Sequence, residues 1–124
     1  MEKHILIVED EPDILEAMAE AITQAGFTVS TAKNGSAGLK MALEEKPDLI
    51  LSDIVMPTMD GHEMLQKLRE DSWGKSVKVI MLTAMDDVEN IGTAHTSNIT
   101  DYIIKSHSSL DEIVAKVKVV IFTN

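Results

Sequence analysis

The chain has no cysteine, which excludes disulfides and thiolate metal sites. Basic residues are few: 11 Lys and Arg stand against 21 Asp and Glu, a formal net charge of −10. Binding to phosphate backbones needs clustered Lys and Arg, so nucleic acid is not expected as a direct partner. The balance suits a protein that binds cations or docks on a basic or mixed surface. No apolar stretch approaches the roughly 20 residues of a membrane span. The opening Met-Glu-Lys-His does not read as a signal peptide. No membrane contact and a cytoplasmic location are the expectations. Only three prolines occur, Pro12, Pro47 and Pro57, and each falls at a boundary between elements. At 124 residues the chain has room for one domain with one core, read here as 1–124.

The most informative stretch is 47–61, Pro-Asp-Leu-Ile-Leu-Ser-Asp-Ile-Val-Met-Pro-Thr-Met-Asp-Gly. Pro47 ends the preceding helix, having no N–H to donate. Leu49, Ile50 and Leu51 run consecutively apolar, as in a short strand covered on both faces. Asp53 stands at the end of that strand. Met56-Pro57 predicts an extended loop, and Asp60 is placed to cap a helix starting at Gly61, with Glu63 three residues on.

The rest of the chain repeats this alternation. His4 to Val8 is β-branched and apolar, a first strand ending in Glu9-Asp10-Glu11. Pro12 opens a helix whose apolar positions Ile14, Leu15, Met18, Ala21, Ile22 and Ala25 recur at helical spacing until Gly26. A second strand over Phe27–Ala32 is more polar, hence at the sheet edge. Asn34-Gly35 leads into a helix running to about Lys46. Val77–Leu82 reads as the fourth strand, followed by Thr83-Ala84, and a helix is expected from Asp86 to about Thr96. Tyr102–Ile104 is a short fifth strand ending at Lys105. Ser108 or Ser109 caps a last helix whose apolar side carries Leu110, Ile113, Val114, Val117, Val120 and Ile121. Five β-α alternations imply an α/β fold: a doubly wound, five-stranded parallel sheet with helices on both faces.

In such a sheet the C-terminal ends of all strands share one edge, where ligands bind. That edge collects Glu9 and Asp10, Asp53, Thr83 and Lys105. Converging carboxylates repel one another unless a cation sits among them. Oxygen ligands suit Mg²⁺, with Mn²⁺ able to substitute, and a hydroxyl with an ammonium group suits phosphoryl oxygens. Mg²⁺, phosphate and a carboxylate nucleophile are the chemistry these residue types favour.

Four segments together carry a family resemblance: Leu-Ile-Val-Glu-Asp-Glu (6–11), the 48–61 stretch, Met-Leu-Thr-Ala (81–84) and Asp-Tyr-Ile-Ile-Lys (101–105). In order and spacing they resemble the receiver domain of two-component response regulators, in size close to single-domain chemotaxis-type regulators. The resemblance implies a flavodoxin-like sheet of strand order 2-1-3-4-5, an arrangement for which the chemotaxis member is itself a standard illustration. It implies that Asp53 accepts a phosphoryl group from a sensor histidine kinase or phosphotransfer protein. Asp10, Asp53 and the main-chain carbonyl of Val55 would ligate Mg²⁺, with Glu9 acting through water. Thr83, the amide of Ala84 and Lys105 would contact the phosphoryl group, and Tyr102 would move with Thr83 as a switch. Output to an unknown partner would leave through the helix expected at 86–96, the fifth strand and the last helix, with a homodimer on phosphorylation as one form. The chain would be a phosphoacceptor switch rather than a turnover enzyme.

Some positions depart from the family pattern. Ser106 follows Lys105 where the family has proline, which favours a trans bond there. Ser97-Asn98-Ile99-Thr100 replaces a Gly-Ala pair before the fifth strand, with Asn98 able to adopt positive φ. Val55 and Met85, two beyond Asp53 and Thr83, are apolar and predict a long-lived phosphorylated state. The Ser106 change supports an alternative, a degenerate receiver acting as a phosphorylation-independent interaction module. An aspartyl-phosphate phosphatase of the haloacid dehalogenase type would need an Asp where Val55 stands. His4, His62, His95 and His107 show no ligand spacing.

Overall fold

The computed structural model describes residues 2–83, 99–105 and 108–123. In chain order the elements are β1 (His4–Val8), α1 (Pro12–Gln24), β2 (Thr28–Ala32), α2 (Gly35–Glu45), β3 (Leu49–Asp53), α3 (Gly61–Arg69), β4 (Lys78–Thr83), β5 (Asp101–Ile104) and α4 (Leu110–Ile121). The helix expected at 86–96 and residues Ser97, Asn98 and Ser106 lie outside the described residues.

The strands form one parallel sheet in the order β2-β1-β3-β4-β5. This is the flavodoxin-like arrangement, and the polar strand β2 is at an edge as its composition predicts. Consecutive strand residues face opposite sides of a sheet. Ile5, Ile7, Leu49, Leu51, Ile80 and Leu82 therefore bury against α1 and α4. Their neighbours Leu6, Val8, Ile50, Val79 and Met81 bury against the other layer, with Met64, Leu65 and Leu68 of α3 and Ala42 of α2. β3 is buried along its whole length. A continuous apolar run is what a strand covered on both faces requires.

Boundaries follow local chemistry. α1 starts at Pro12, directly after the acids. Asn34 accepts the Ala37 amide at 2.8 Å and so starts α2, whose last residue is followed by Lys46 in the left-handed region. Asp60 accepts the Glu63 amide at 2.8 Å. A two-way capping box forms at Ser109 and Glu112, which settles Ser109 as the cap of α4.

Some ends differ from the periodicity. β2 begins at Thr28, because Phe27 turns into the α1/α4 core layer rather than joining the ladder. β4 begins at Lys78 rather than Val77, and β5 takes in Asp101. Trp73 packs on the α2/α3 layer. Its turn is held by Asp71, which accepts the amides of Trp73 and Gly74 at 2.9 Å each. Met18, Met56, Met64 and Met81 are buried, in keeping with methionine as core filler.

Candidate functional site

The sheet order places β1 and β4 on either side of β3, so their C-terminal ends surround Asp53. One carboxylate oxygen each from Glu9, Asp10 and Asp53 lies within 4.8 Å of the others, the one such cluster of potential metal ligands among the described residues. Glu9 is fully buried and Asp53 nearly so. Lys105, just past β5, reaches in from the far edge. Its Nζ donates to Glu9 Oε1 at 2.9 Å and to Asp53 Oδ2 at 3.1 Å.

Asp53 is aimed by its own neighbours. Its Oδ1 accepts the Ile54 amide at 2.8 Å, and the same amide reaches Leu82 O at 3.2 Å. Ser52, fully buried, donates its hydroxyl to Asp53 O at 2.9 Å. Gly61 lies so close that a Cβ there would stand 2.4 Å from Asp53 O. Its amide donates to Ile54 O at 2.7 Å, closing the loop that leaves β3. Only a residue without a side chain permits that approach.

The electrostatics follow from burial. Loss of water pushes the Glu9 carboxyl up to about 8, and the Asp53 carboxylate beside it pushes the same way. The Lys105 ammonium opposes both without prevailing. Burial alone would lower the Lys105 pKa, but Glu9 and Asp53 outweigh it and the ammonium is held above its ordinary value. Glu9 Oε2 is buried with no hydrogen-bond partner among the described residues. An orphaned carboxylate oxygen beside two further carboxylates is an all-oxygen donor set that fits a hard divalent cation.

Other expected site residues are partly described. Thr83 ends β4 and is fully buried. Tyr102 sits in the edge strand β5 and packs on the α2/α3 layer. Val55 is 60% exposed on the loop after Asp53, open to solvent where its side chain offers no hydrogen bond. Ala84 and Met85 lie outside the described residues. The contributions of Ser52 and the Ile54 amide are new with the structure. A lone serine before an aspartate carries no sequence signal, and a main-chain donor carries none either. Beside Lys105 an apolar cleft of about 300 Å³ opens between Ile14 and Ala17 of α1 and Leu110 and Ile113 of α4. His4 takes no part in the site: its Nε2 lies 2.7 Å from Ser30 Oγ and 3.2 Å from Glu45.

Comparison with known proteins agrees with this architecture. The chain is 35% identical over 114 residues to the transcriptional regulatory protein HprR of Escherichia coli, which covers 92% of the chain and 49% of HprR. It is 32% identical over 114 residues to the DNA-binding dual master transcriptional regulator RpaA of Synechocystis, covering 92% of the chain and 47% of RpaA. It thus spans less than half the length of these curated relatives. Among solved structures, the chemotaxis response regulator CheY4 of Vibrio cholerae superposes with a TM-score of 0.90 at 26% identity, covering 97% of this chain and 99% of that one. A CheY-like response regulator receiver domain protein from Methanospirillum hungatei gives 0.89 at 29% identity, covering 98% and 94%. The profile of the response regulator receiver domain matches residues 5–118. With nearly the whole chain matched in sequence and in fold, the protein belongs to the response regulator receiver domain family.

Proposed function

We propose that this receiver domain is a Mg²⁺-dependent phosphorylation switch in which Asp53 accepts a phosphoryl group from a phosphohistidine on a sensor kinase or phosphotransfer protein. The observation that carries this reading is the convergence of Glu9, Asp10 and Asp53 under the Lys105 ammonium. Asp10, Asp53 and the Val55 carbonyl would hold the cation, with Glu9 acting through water. When bound, Mg²⁺ neutralises charge that builds on the phosphoryl oxygens during transfer.

The chain's own residues do the rest. An Asp53 oxygen attacks phosphorus, the P–N bond to histidine breaks, and the imidazole leaves and takes up a proton. The Ile54 amide holds Asp53 Oδ1, so the carboxylate is already oriented. The Lys105 ammonium, which holds Asp53 Oδ2 in the free protein, passes to the phosphoryl oxygens. Thr83 and the Ala84 amide contribute the remaining donors. Movement of Thr83 then alters Tyr102 and the surface of β5 and α4, through which an output protein reads the state. The apolar cleft beside Lys105 offers a footing for the phosphoryl donor. Because the product is an altered surface rather than a released compound, the protein acts as a switch and not a turnover enzyme.

Intact mass after incubation with acetyl phosphate, with and without Mg²⁺, tests this on the wild type and Asp53→Ala. One added phosphoryl group dependent on both Mg²⁺ and Asp53 is expected. No adduct under rapid quenching, and none from candidate kinases, would leave the phosphorylation-independent interaction module that Ser106 suggests.

A further inference from the structure

The turn from β2 into α2 touches both halves of the acidic site through its main chain. At its start Ala32 O accepts the Glu9 amide at 3.0 Å. At its end the Gly35 amide donates to Met59 O at 3.1 Å. Glu9 heads the acid pair after β1, whereas Met59 belongs to the loop that leaves Asp53 and carries Val55. Four residues of chain thus link two segments that are remote in sequence.

The loop needs this support. Thr58 has φ +71, and around it the Met59 amide donates to Pro57 O at 2.8 Å, a γ-turn with a positive-φ centre. For a β-branched residue that conformation is strained and persists only where the surroundings hold it. Gly61 anchors the loop on Ile54 O, and Gly35 anchors it on Met59 O, directly after the strained residue. The second anchor tolerates no side chain: a Cβ on Gly35 would lie 2.2 Å from Met59 O. Met56, between the anchors, is buried and ties the loop to the α2/α3 layer.

We propose that Gly35 is a positioning residue for the cation site, setting through Met59 the place of the Val55 loop relative to Glu9 and Asp10. The inference rests on the Mg²⁺-dependent reading above. Gly35 touches neither cation nor phosphoryl group and acts only through the loop it holds. Cation binding and the Gly35–Met59 bond are then linked, each strengthening the other.

Titration calorimetry with Mg²⁺ on wild type, Gly35→Ala and Lys78→Met, with thermal unfolding of each, tests the proposal. Lys78 lies at the opposite end of the sheet, and its loss lowers stability without touching the loop. Gly35→Ala should weaken Mg²⁺ binding at least tenfold, while Lys78→Met binds within twofold of wild type despite a lowered unfolding temperature. Unchanged affinity in Gly35→Ala, or equal losses in both variants, overturns the positioning role. Should Gly35→Ala not fold, wild type decides by amide hydrogen exchange. Saturating Mg²⁺ should slow exchange at Gly35 at least fivefold, and unchanged protection overturns the proposal. A wild type that binds no Mg²⁺ refutes the underlying reading itself, and the proposal with it.

Discussion

Lys105 Nζ lies 3.1 Å from Asp53 Oδ2, joining the end of the edge strand β5 to the end of the central strand β3 across 52 positions of sequence. The same ammonium donates to Glu9 Oε1, so one cation bridges two buried carboxyl groups. Burial makes this arrangement sensitive to loss of any member.

Lys105→Met should therefore destabilise the cation-free protein by about 1.5–3 kcal/mol, the usual range for hydrogen bonds to charged groups. Urea unfolding at neutral pH measures it. Adding Asp53→Asn to Lys105→Met should recover part of the loss, because it removes a carboxylate then facing Glu9 without a counter-charge. Strict additivity in this double-mutant cycle would show that the ammonium and Asp53 do not interact.

Burial, with the Asp53 carboxylate beside it, pushes the Glu9 carboxyl from its ordinary 4.5 up to about 8. The folded state therefore holds a proton that the unfolded state has lost between these values. Stability from this group is complete below about pH 4.5 and declines as pH rises towards 8. Cation-free protein should show an unfolding temperature with a falling component over that window, and Glu9→Gln should flatten it. A slope identical in Glu9→Gln would place the titration elsewhere.

Val55 is exposed two residues beyond Asp53, the proposed phosphoacceptor, and has no group to orient a water. The phosphorylated protein should be long-lived. Val55→Asn combined with Met85→Glu should hasten loss of the phosphoryl group at least tenfold, followed by the decay of the adduct mass. Equal decay in wild type and double variant would remove the argument.

At the other end of the sheet, Lys78 Nζ donates to Val120 O at 2.8 Å, Ile121 O at 3.3 Å and Thr123 O. A cation on the last carbonyls of α4 is placed where the helix dipole favours it. Lys78→Met should cost about 1–2 kcal/mol by chemical denaturation. Hydrogen exchange should rise first in the last turn of α4. Protection unchanged there would mean that the lysine caps nothing of consequence.

Val119 is exposed on α4, and Phe122 is exposed just past its end. Phe122 packs against the buried Phe27 in a tilted pair with ring centroids 6.3 Å apart, so its position is set by the core although its face is open.

The alternation of strands and helices was legible in the chain itself, because apolar periodicity and boundary residues such as Pro12, Asn34, Pro47 and Asp60 act locally. The acids Glu9, Asp10 and Asp53 were legible for the same reason, each standing where an apolar run stops. Strand order 2-1-3-4-5 came through the family resemblance, since nothing in a strand's own pattern names its neighbours. Only the tertiary structure decided that Lys105 closes on Glu9, 96 positions away, and that Glu9 is buried with one oxygen unpartnered among the described residues. It alone revealed the bond from Gly35 to Met59 and the strained turn at Thr58. Such facts depend on which strand ends lie side by side and on what excludes water there. A local sequence pattern encodes a residue's own conformation and facing, whereas burial and pairing at these distances arise only when the whole sheet has closed around the site.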